Sequence, residues 1–231
     1  MTMRQVLEFH ASEYAAQVAD LLATGIRATV AAHGRCRIVL AGGRTPASVY
    51  RALALYDPMP WAEVTAFIGD ERCVPPDDTD SNYRMIAETL LSQVPIPAAQ
   101  VHRLRGEIDA ERSAAEYDAI VGALDAPAFD IVLSGVGADG HTASLFPGDP
   151  SVSDATAWAA AATAPAPFAV AARVTLTLRA LNSTRVQIVL CRGADKLPVR
   201  SAILGDDPTA RILPAALLRG LDATLWLVDV V

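Results

Sequence analysis

Phe129-Asp130-Ile131-Val132-Leu133-Ser134-Gly135-Val136-Gly137-Ala138-Asp139-Gly140-His141-Thr142-Ala143-Ser144-Leu145-Phe146-Pro147-Gly148 opens as an apolar, β-branched run and then breaks at glycines around Asp139 and His141. The apolar half reads as a buried strand. A strand that ends in glycines and releases a histidine at its carboxyl end is how open α/β sheets build active sites. Histidine titrates near neutral pH, so it can take a proton from water without a metal. His141 is therefore the first candidate catalytic residue, with Asp139 to orient its ring or its loop. Gly135, Gly137 and Gly140 also spell G-x-G-x-x-G, the dinucleotide fingerprint. That fingerprint needs an acidic residue ending the next strand, roughly 20 residues on. Asp149 and Asp154 come too early and outside a strand pattern, which disfavours a nicotinamide cofactor. A plain strand-to-helix turn is the other reading, and it leaves Asp139 and His141 without a role.

Working outward, strand and helix patterns alternate. Val6–Phe9, Arg37–Leu40, Val64–Ile68, Val101–Leu104, Arg185–Leu190 and Thr224–Val230 read as strands. Helices are expected from Ser12, as N-cap, to about Ala32, from Pro46 to Leu55, from Ser81 to Leu91 and over Asp109–Leu124. Two more are expected over Ala194–Leu204 and Pro214–Arg219. Ala157–Ala162 and Ala169–Leu178 alternate loosely and read as further strands. The fold class that follows is α/β: an open, mostly parallel, Rossmann-like sheet with helices on both faces. Neither a repeat nor a linker stands out, so residues 1–231 are read as a single domain with a small β-rich subregion near 150–180.

Composition narrows the partners. With 52% hydrophobic and 19% charged residues the chain can bury a sizeable core. A net charge of −7 without a basic run argues against nucleic acid, yet leaves room for a small anion met by a few local cations. The amino terminus, Met1-Thr2-Met3-Arg4-Gln5-Val6, lacks the apolar core of a signal peptide. The Ala-rich stretch from Ala155 to Ala172 comes closest to a membrane span, but Pro165 and Pro167 interrupt it. Cys36, Cys73 and Cys191 are scattered in or beside apolar runs, as free thiols in a reducing cytoplasm would be. The oligomeric state stays open, and a monomer is compatible with the sequence.

Three turns after expected strands carry candidate chemistry. Gly42-Gly43-Arg44-Thr45-Pro46 offers free backbone N–H groups, a hydroxyl and the positive end of a helix, which is a phosphate cradle. Asp70-Glu71-Arg72 is either a solvated loop or an oxyanion site, with Arg72 on the anion and Asp70 orienting Arg72 or a sugar hydroxyl. Asp139-Gly140-His141 is the third. Lys196 opens a helix, where a cation opposes the helix dipole unless an anion joins it. Arg173, a charge inside an apolar run, serves the same anion or faces outward from a strand. His10, His33 and His102 read as structural. No second His or Cys stands at ligand spacing from His141, so no metal is expected.

Taken in order, Leu40-Ala41-Gly42-Gly43-Arg44-Thr45-Pro46, Gly69-Asp70-Glu71-Arg72-Cys73-Val74-Pro75 with Ser81-Asn82, the Gly135–Gly148 block, Arg173-Val174-Thr175-Leu176-Thr177 and Gly193-Ala194-Asp195-Lys196 resemble the 6-phosphogluconolactonase family over nearly the whole chain. The resemblance implies a fold like the glucosamine-6-phosphate deaminase and ribose-5-phosphate isomerase group. It implies hydrolysis of 6-phospho-D-glucono-1,5-lactone, a small anionic sugar-phosphate lactone, with no metal or organic cofactor. The family's general base falls on His141, and its phosphate-binding positions fall on Gly42–Thr45, Arg72 and Lys196. The loop departs from the usual Ser-Gly-Gly-Ser-Thr-Pro at Ala41 and Arg44, where a guanidinium replaces a hydroxyl. The related deaminases carry a Glu shortly after their histidine, whereas Thr142–Gly148 holds no carboxylate. A sugar-phosphate sensor would keep the cradle without needing His141.

Overall fold

The computed structural model describes residues 4–149 and 156–230. Met1–Met3 of the amino-terminal stretch, Asp154, and Ala155 at the head of the Ala-rich stretch lie outside the described residues. Seven strands form one sheet. Their spatial order is β1 (Arg4–His10), β10 (Ala223–Val230), β9 (Thr184–Cys191), β6 (Phe129–Gly135), β2 (Cys36–Leu40), β3 (Val64–Ile68) and β5 (Val101–His102). Every neighbouring pair is parallel. Between them run α1 (Tyr14–His33), α2 (Arg44–Leu53), α3 (Asn82–Ile86, continued as a wider turn over Ala87–Leu91), α4 (Ala110–Gly122), α5 (Leu178–Leu181) and α6 (Leu197–Leu204).

Strand periodicity explains why the central strands are apolar throughout. Successive side chains point to opposite faces, so a strand covered on both sides needs apolar residues at every position. In β2, Cys36, Ile38 and Leu40 enter the core that holds Tyr14, Val18 and Leu22 of α1 and Val49, Tyr50 and Leu53 of α2. Val39 enters the opposite core with Phe67, Val132, Val189 and the α4 residues Tyr117 and Val121. Each fully buried Leu, Ile or Val of this kind contributes roughly 1.5–3 kcal/mol.

The strand order places the site. From β2 the chain proceeds to one side through β3 and β5; from β6 it proceeds to the other through β9 and β10, with the first strand, β1, at that edge. The order reverses between β2 and β6, and at such a switch point the loops leaving the strands' carboxyl ends diverge and open a crevice.

A second, antiparallel sheet has the order β4 (Asp70–Arg72), β8 (Ala172–Leu176), β7 (Ala159–Thr163). It packs on α4. Asp70-Glu71-Arg72 is therefore neither a turn nor a solvated loop: it is a strand, in register with Thr175, Val174 and Arg173. Only Gly69 separates it from β3, and the Gly69 carbonyl accepts from Leu176 N (2.8 Å).

Two further expectations are corrected, on the first helix and on Lys196, and an alternative reading of the glycines falls. The first helix opens at Tyr14 rather than after a Ser12 cap, because the Ser12 hydroxyl is held by His10 Nδ1 at 2.8 Å. β6 leads into turns, with no helix between Gly135 and Asp149. That removes the helix N-terminus on which a dinucleotide pyrophosphate rests, and with it the strand-to-helix reading of the glycines. Ala194–Lys196 forms a tight single turn, and α6 proper begins after Lys196. Among the described residues no helix is long and apolar enough to cross a membrane.

Candidate active site

A cavity of about 670 Å³ lies at the switch point. Its walls come from the segments leaving β2 (Ala41–Pro46, Ser48), β6 (Gly135–Ala138, His141, Ala143) and β9 (Arg192, Gly193, Asp195, Lys196), with Asp70, Arg72, Asn82 and Phe168 closing the sides. This is the size range of small-molecule sites.

The wall at β2 is a bare helix start. α2 begins at Arg44 behind Gly43, which no side chain caps. Among the described residues the N–H groups of Gly42, Gly43, Arg44 and Thr45 meet no protein acceptor. Orphan amides and the helix dipole together favour an anion here. A side chain at position 42 would stand 2.1 Å from Asn82 Oδ1, so only glycine lets the loop rest on Asn82. Arg44 and Lys196 line the cavity without an ion-pair partner among the described residues. Asp229 builds the turn that carries Lys196 by accepting from Gly193 N (3.1 Å).

Arg72 and Arg173 stand side by side across β4 and β8. The Arg72 Nη1 donates to the Asp80 carbonyl, while its buried Nε has no partner. Arg173 is buried, not outward-facing, and it does not line the cavity. Burial, and then the neighbouring Arg72, lower its pKa, against the carboxylates of Asp70, Glu71 and Asp80, which raise it.

His141 lines the cavity, with its Nδ1 2.6 Å from Asp139 Oδ1. The same carboxylate oxygen accepts from His141 N (3.1 Å). With Nδ1 engaged, Nε2 remains for a ligand or a water. Phe146 and Phe168 flank the ring at centroid distances of 5.0 and 5.6 Å. A Cβ at Gly137 would lie 2.1 Å from Nδ1, so the backbone can pass this close to the imidazole only without a side chain.

The loop bearing His141 is tied to the cradle by buried polar groups. The Ser144 hydroxyl donates to Asp70 Oδ2 (2.7 Å), and Asn82 Nδ2 donates to Asp70 Oδ1 (3.1 Å) and to the Asp70 carbonyl (2.9 Å). Asp70 thus borders the cavity with both carboxylate oxygens already engaged. Glu71 beside it accepts from Arg72 N, Asn82 N, Tyr83 N and Ser81 Oγ. Burial pushes its pKa up, and those donors pull it back. Cys191, behind Lys196, is pushed up to about 11 by burial, which keeps it a thiol.

Gly42, Gly43, Arg44, Thr45, Asp70, Arg72, His141 and Lys196 therefore meet around one cavity, Asp139 supports it from behind His141, and Arg173 stands off the wall. Asn82, Phe168 and Arg192 join the wall and Ser144 supports it through Asp70, though no local motif marks them as site residues. Arg192 carried a usable signal, a charge directly after a buried strand. It donates to the Ala11 carbonyl (3.0 Å) and lies over Tyr14. Phe168 sits in a Pro-rich loop, where nothing in the sequence marks an aromatic as a wall.

Comparison with known proteins follows the same line. The sequence matches the family described as glucosamine-6-phosphate isomerases/6-phosphogluconolactonase over residues 10–226. It is 38% identical over 222 residues to a 6-phosphogluconolactonase of Mycobacterium tuberculosis, covering 90% of this chain and 88% of that one. The crystal structure of 6-phosphogluconolactonase from Thermotoga maritima superposes with a TM-score of 0.88 at 34% identity, covering 99% and 100% of the two chains. A monomeric glucosamine-6-phosphate deaminase shares the fold, with a TM-score of 0.83 at 22% identity over 97% of each chain. The switch-point cavity, its bare helix start and the sequence match over most of the length lead to one conclusion: the chain belongs to the glucosamine-6-phosphate isomerase/6-phosphogluconolactonase family.

Proposed function

We propose that the chain is a 6-phosphogluconolactonase, hydrolysing 6-phospho-D-glucono-1,5-lactone to 6-phospho-D-gluconate in the oxidative branch of the pentose phosphate pathway. The observation that carries this reading is His141, backed by Asp139, facing the same cavity as an uncapped helix start. The absence of a carboxylate in Thr142–Gly148 favours it over deamination.

The 6-phosphate docks on the amides of Gly42–Thr45 with Arg44, Arg72 and Lys196. Anchoring the far end of the substrate holds C1 of the lactone at His141, so binding energy is spent on orientation. Nε2 of His141 takes a proton from water as the oxygen attacks C1. Asp139 keeps Nδ1 protonated and stabilises the imidazolium that forms. A backbone N–H or a nearby cation at the C1 end stabilises the tetrahedral oxyanion. Its collapse breaks the bond from C1 to the ring oxygen, and the imidazolium returns the proton to that oxygen. We assign the reaction to the cytoplasm, in keeping with three cysteines that form no disulfide.

The test is the rate of lactone opening above the spontaneous background. Saturable acceleration is expected, with a kcat loss on the order of 10²–10⁴-fold in His141→Ala. Lys196→Ala and Arg72→Ala should chiefly raise KM. No acceleration by the wild-type protein would overturn the reading, and ammonia release from glucosamine 6-phosphate would then point to the deaminase branch.

A further inference from the structure

The hairpin between β7 and β8 holds an aromatic ring against the reacting end of the cavity. It closes through Ala164 N donating to the Ala171 carbonyl (2.8 Å), and Phe168 N donates to the Pro165 carbonyl (3.2 Å). Phe168 lines the cavity and is 39% exposed, whereas Phe67, Phe129 and Phe146 are buried. Its ring stands nearly perpendicular to His141 (5.6 Å, 83°) and packs on Phe146 at 5.4 Å. Arg173 braces it, with the guanidinium carbon 5.8 Å from the ring centroid and Nε donating to the Val170 carbonyl (3.0 Å). The aromatic is therefore held in place while part of its surface stays open.

An aromatic face carries negative charge density, and the C–H bonds on one face of a six-membered sugar ring are polarised positive and apolar, so the two surfaces match. Phosphate and hydroxyl groups gain nothing from such a wall. Beside His141, the surface that does gain is the ring around C1. Resting on the lactonase reading above, we propose that Phe168 is a specificity-determining residue that packs against the lactone ring. Ring opening converts that flat partner into a flexible chain, so the contact favours the cyclic substrate and is lost by the product.

The experiment compares KM for 6-phospho-D-glucono-1,5-lactone with the competitive inhibition constants of 6-phosphogluconate and inorganic phosphate. It uses the wild-type protein, Phe168→Ala, Phe168→Leu and Phe168→Tyr. Phe168→Ala should raise KM about 5- to 10-fold and leave both inhibition constants within about twofold. Phe168→Leu, which keeps apolar bulk without the π face, should raise KM about threefold, and Phe168→Tyr should restore it. An unchanged KM in Phe168→Ala and Phe168→Leu would overturn the proposal, as would inhibition constants that rise in parallel with KM. Those outcomes leave the lactonase reading intact, whereas an inactive wild-type protein removes both.

Discussion

The imidazole of His141 is fixed from several sides: Asp139 at Nδ1, Phe146 and Phe168 across its faces and edges, and the bare backbone of Gly137 behind it. Aromatic contacts of this kind are worth about 0.5–1.5 kcal/mol each, enough to select one ring orientation. The carboxylate does more than orient, because it also faces the positive charge that the ring gains on taking a proton. Asp139→Asn should therefore lower kcat on the order of 10- to 10²-fold with KM nearly unchanged. The double variant Asp139→Asn/His141→Ala should be no slower than His141→Ala, since the two residues act as a unit. Additive losses in steady-state kinetics would show that Asp139 works independently. These two residues were legible from their glycine neighbours. Which ring nitrogen is free was not, because that depends on the path of the chain between residues 137 and 141.

At the scale of elements, the site is two loops joined by buried hydrogen bonds. Glycine positions separate their roles. In Gly137→Ala the new Cβ must displace the imidazole, so kcat should fall nearly as far as in His141→Ala while phosphate-dependent KM holds. In Gly42→Ala the Cβ must displace Asn82 from beneath the cradle, so KM should rise before kcat falls. Equal effects on both parameters in both variants would show that the loops do not divide the work. Ser144→Ala leaves Asp70 Oδ2 buried without its donor and should cost about 1–3 kcal/mol, measured as a lower denaturant midpoint at unchanged slope. The element most poorly legible in the sequence was β4. Three consecutive charges read as a loop, and Asp70 and Glu71 are buried because backbone amides, Ser81, Asn82 and Ser144 satisfy their carboxylates. Apart from the Arg72 amide next door, those donors lie 10 to 74 positions away along the chain, beyond any local pattern.

For the whole molecule, the parallel sheet supplies rigidity and the switch point supplies the opening. Part of the pH dependence of stability sits away from the site, where Arg103 donates twice to Glu107 (both 2.8 Å). That pair holds the Glu107 carboxyl down to about 2, against an ordinary value near 4.5. A carboxylate with a depressed native pKa contributes stability that is fully present above the unfolded value and is lost as pH falls through the native one. Glu107→Gln should therefore be less stable than wild type at neutral pH, and the gap should close between about pH 4.5 and pH 2. Thermal unfolding followed across that range checks the sign; a gap that stayed constant would mean Glu107 is not linked to folding through its proton.

Periodicity and turn chemistry determined by themselves the parallel α/β sheet, the helix start at Gly43–Pro46, and the pairing of an aspartate and a histidine after β6. These are local properties: which faces are apolar, where a glycine breaks a strand, where a proline enters a helix. The tertiary structure alone decided that β4 joins β7 and β8 in a separate sheet, that Asp70 is spoken for by Ser144 and Asn82, and that Arg173 braces Phe168 instead of lining the cavity. Each of these depends on which distant segments the fold brings within hydrogen-bonding or packing distance, a relation that hydrophobic period and local propensity do not encode.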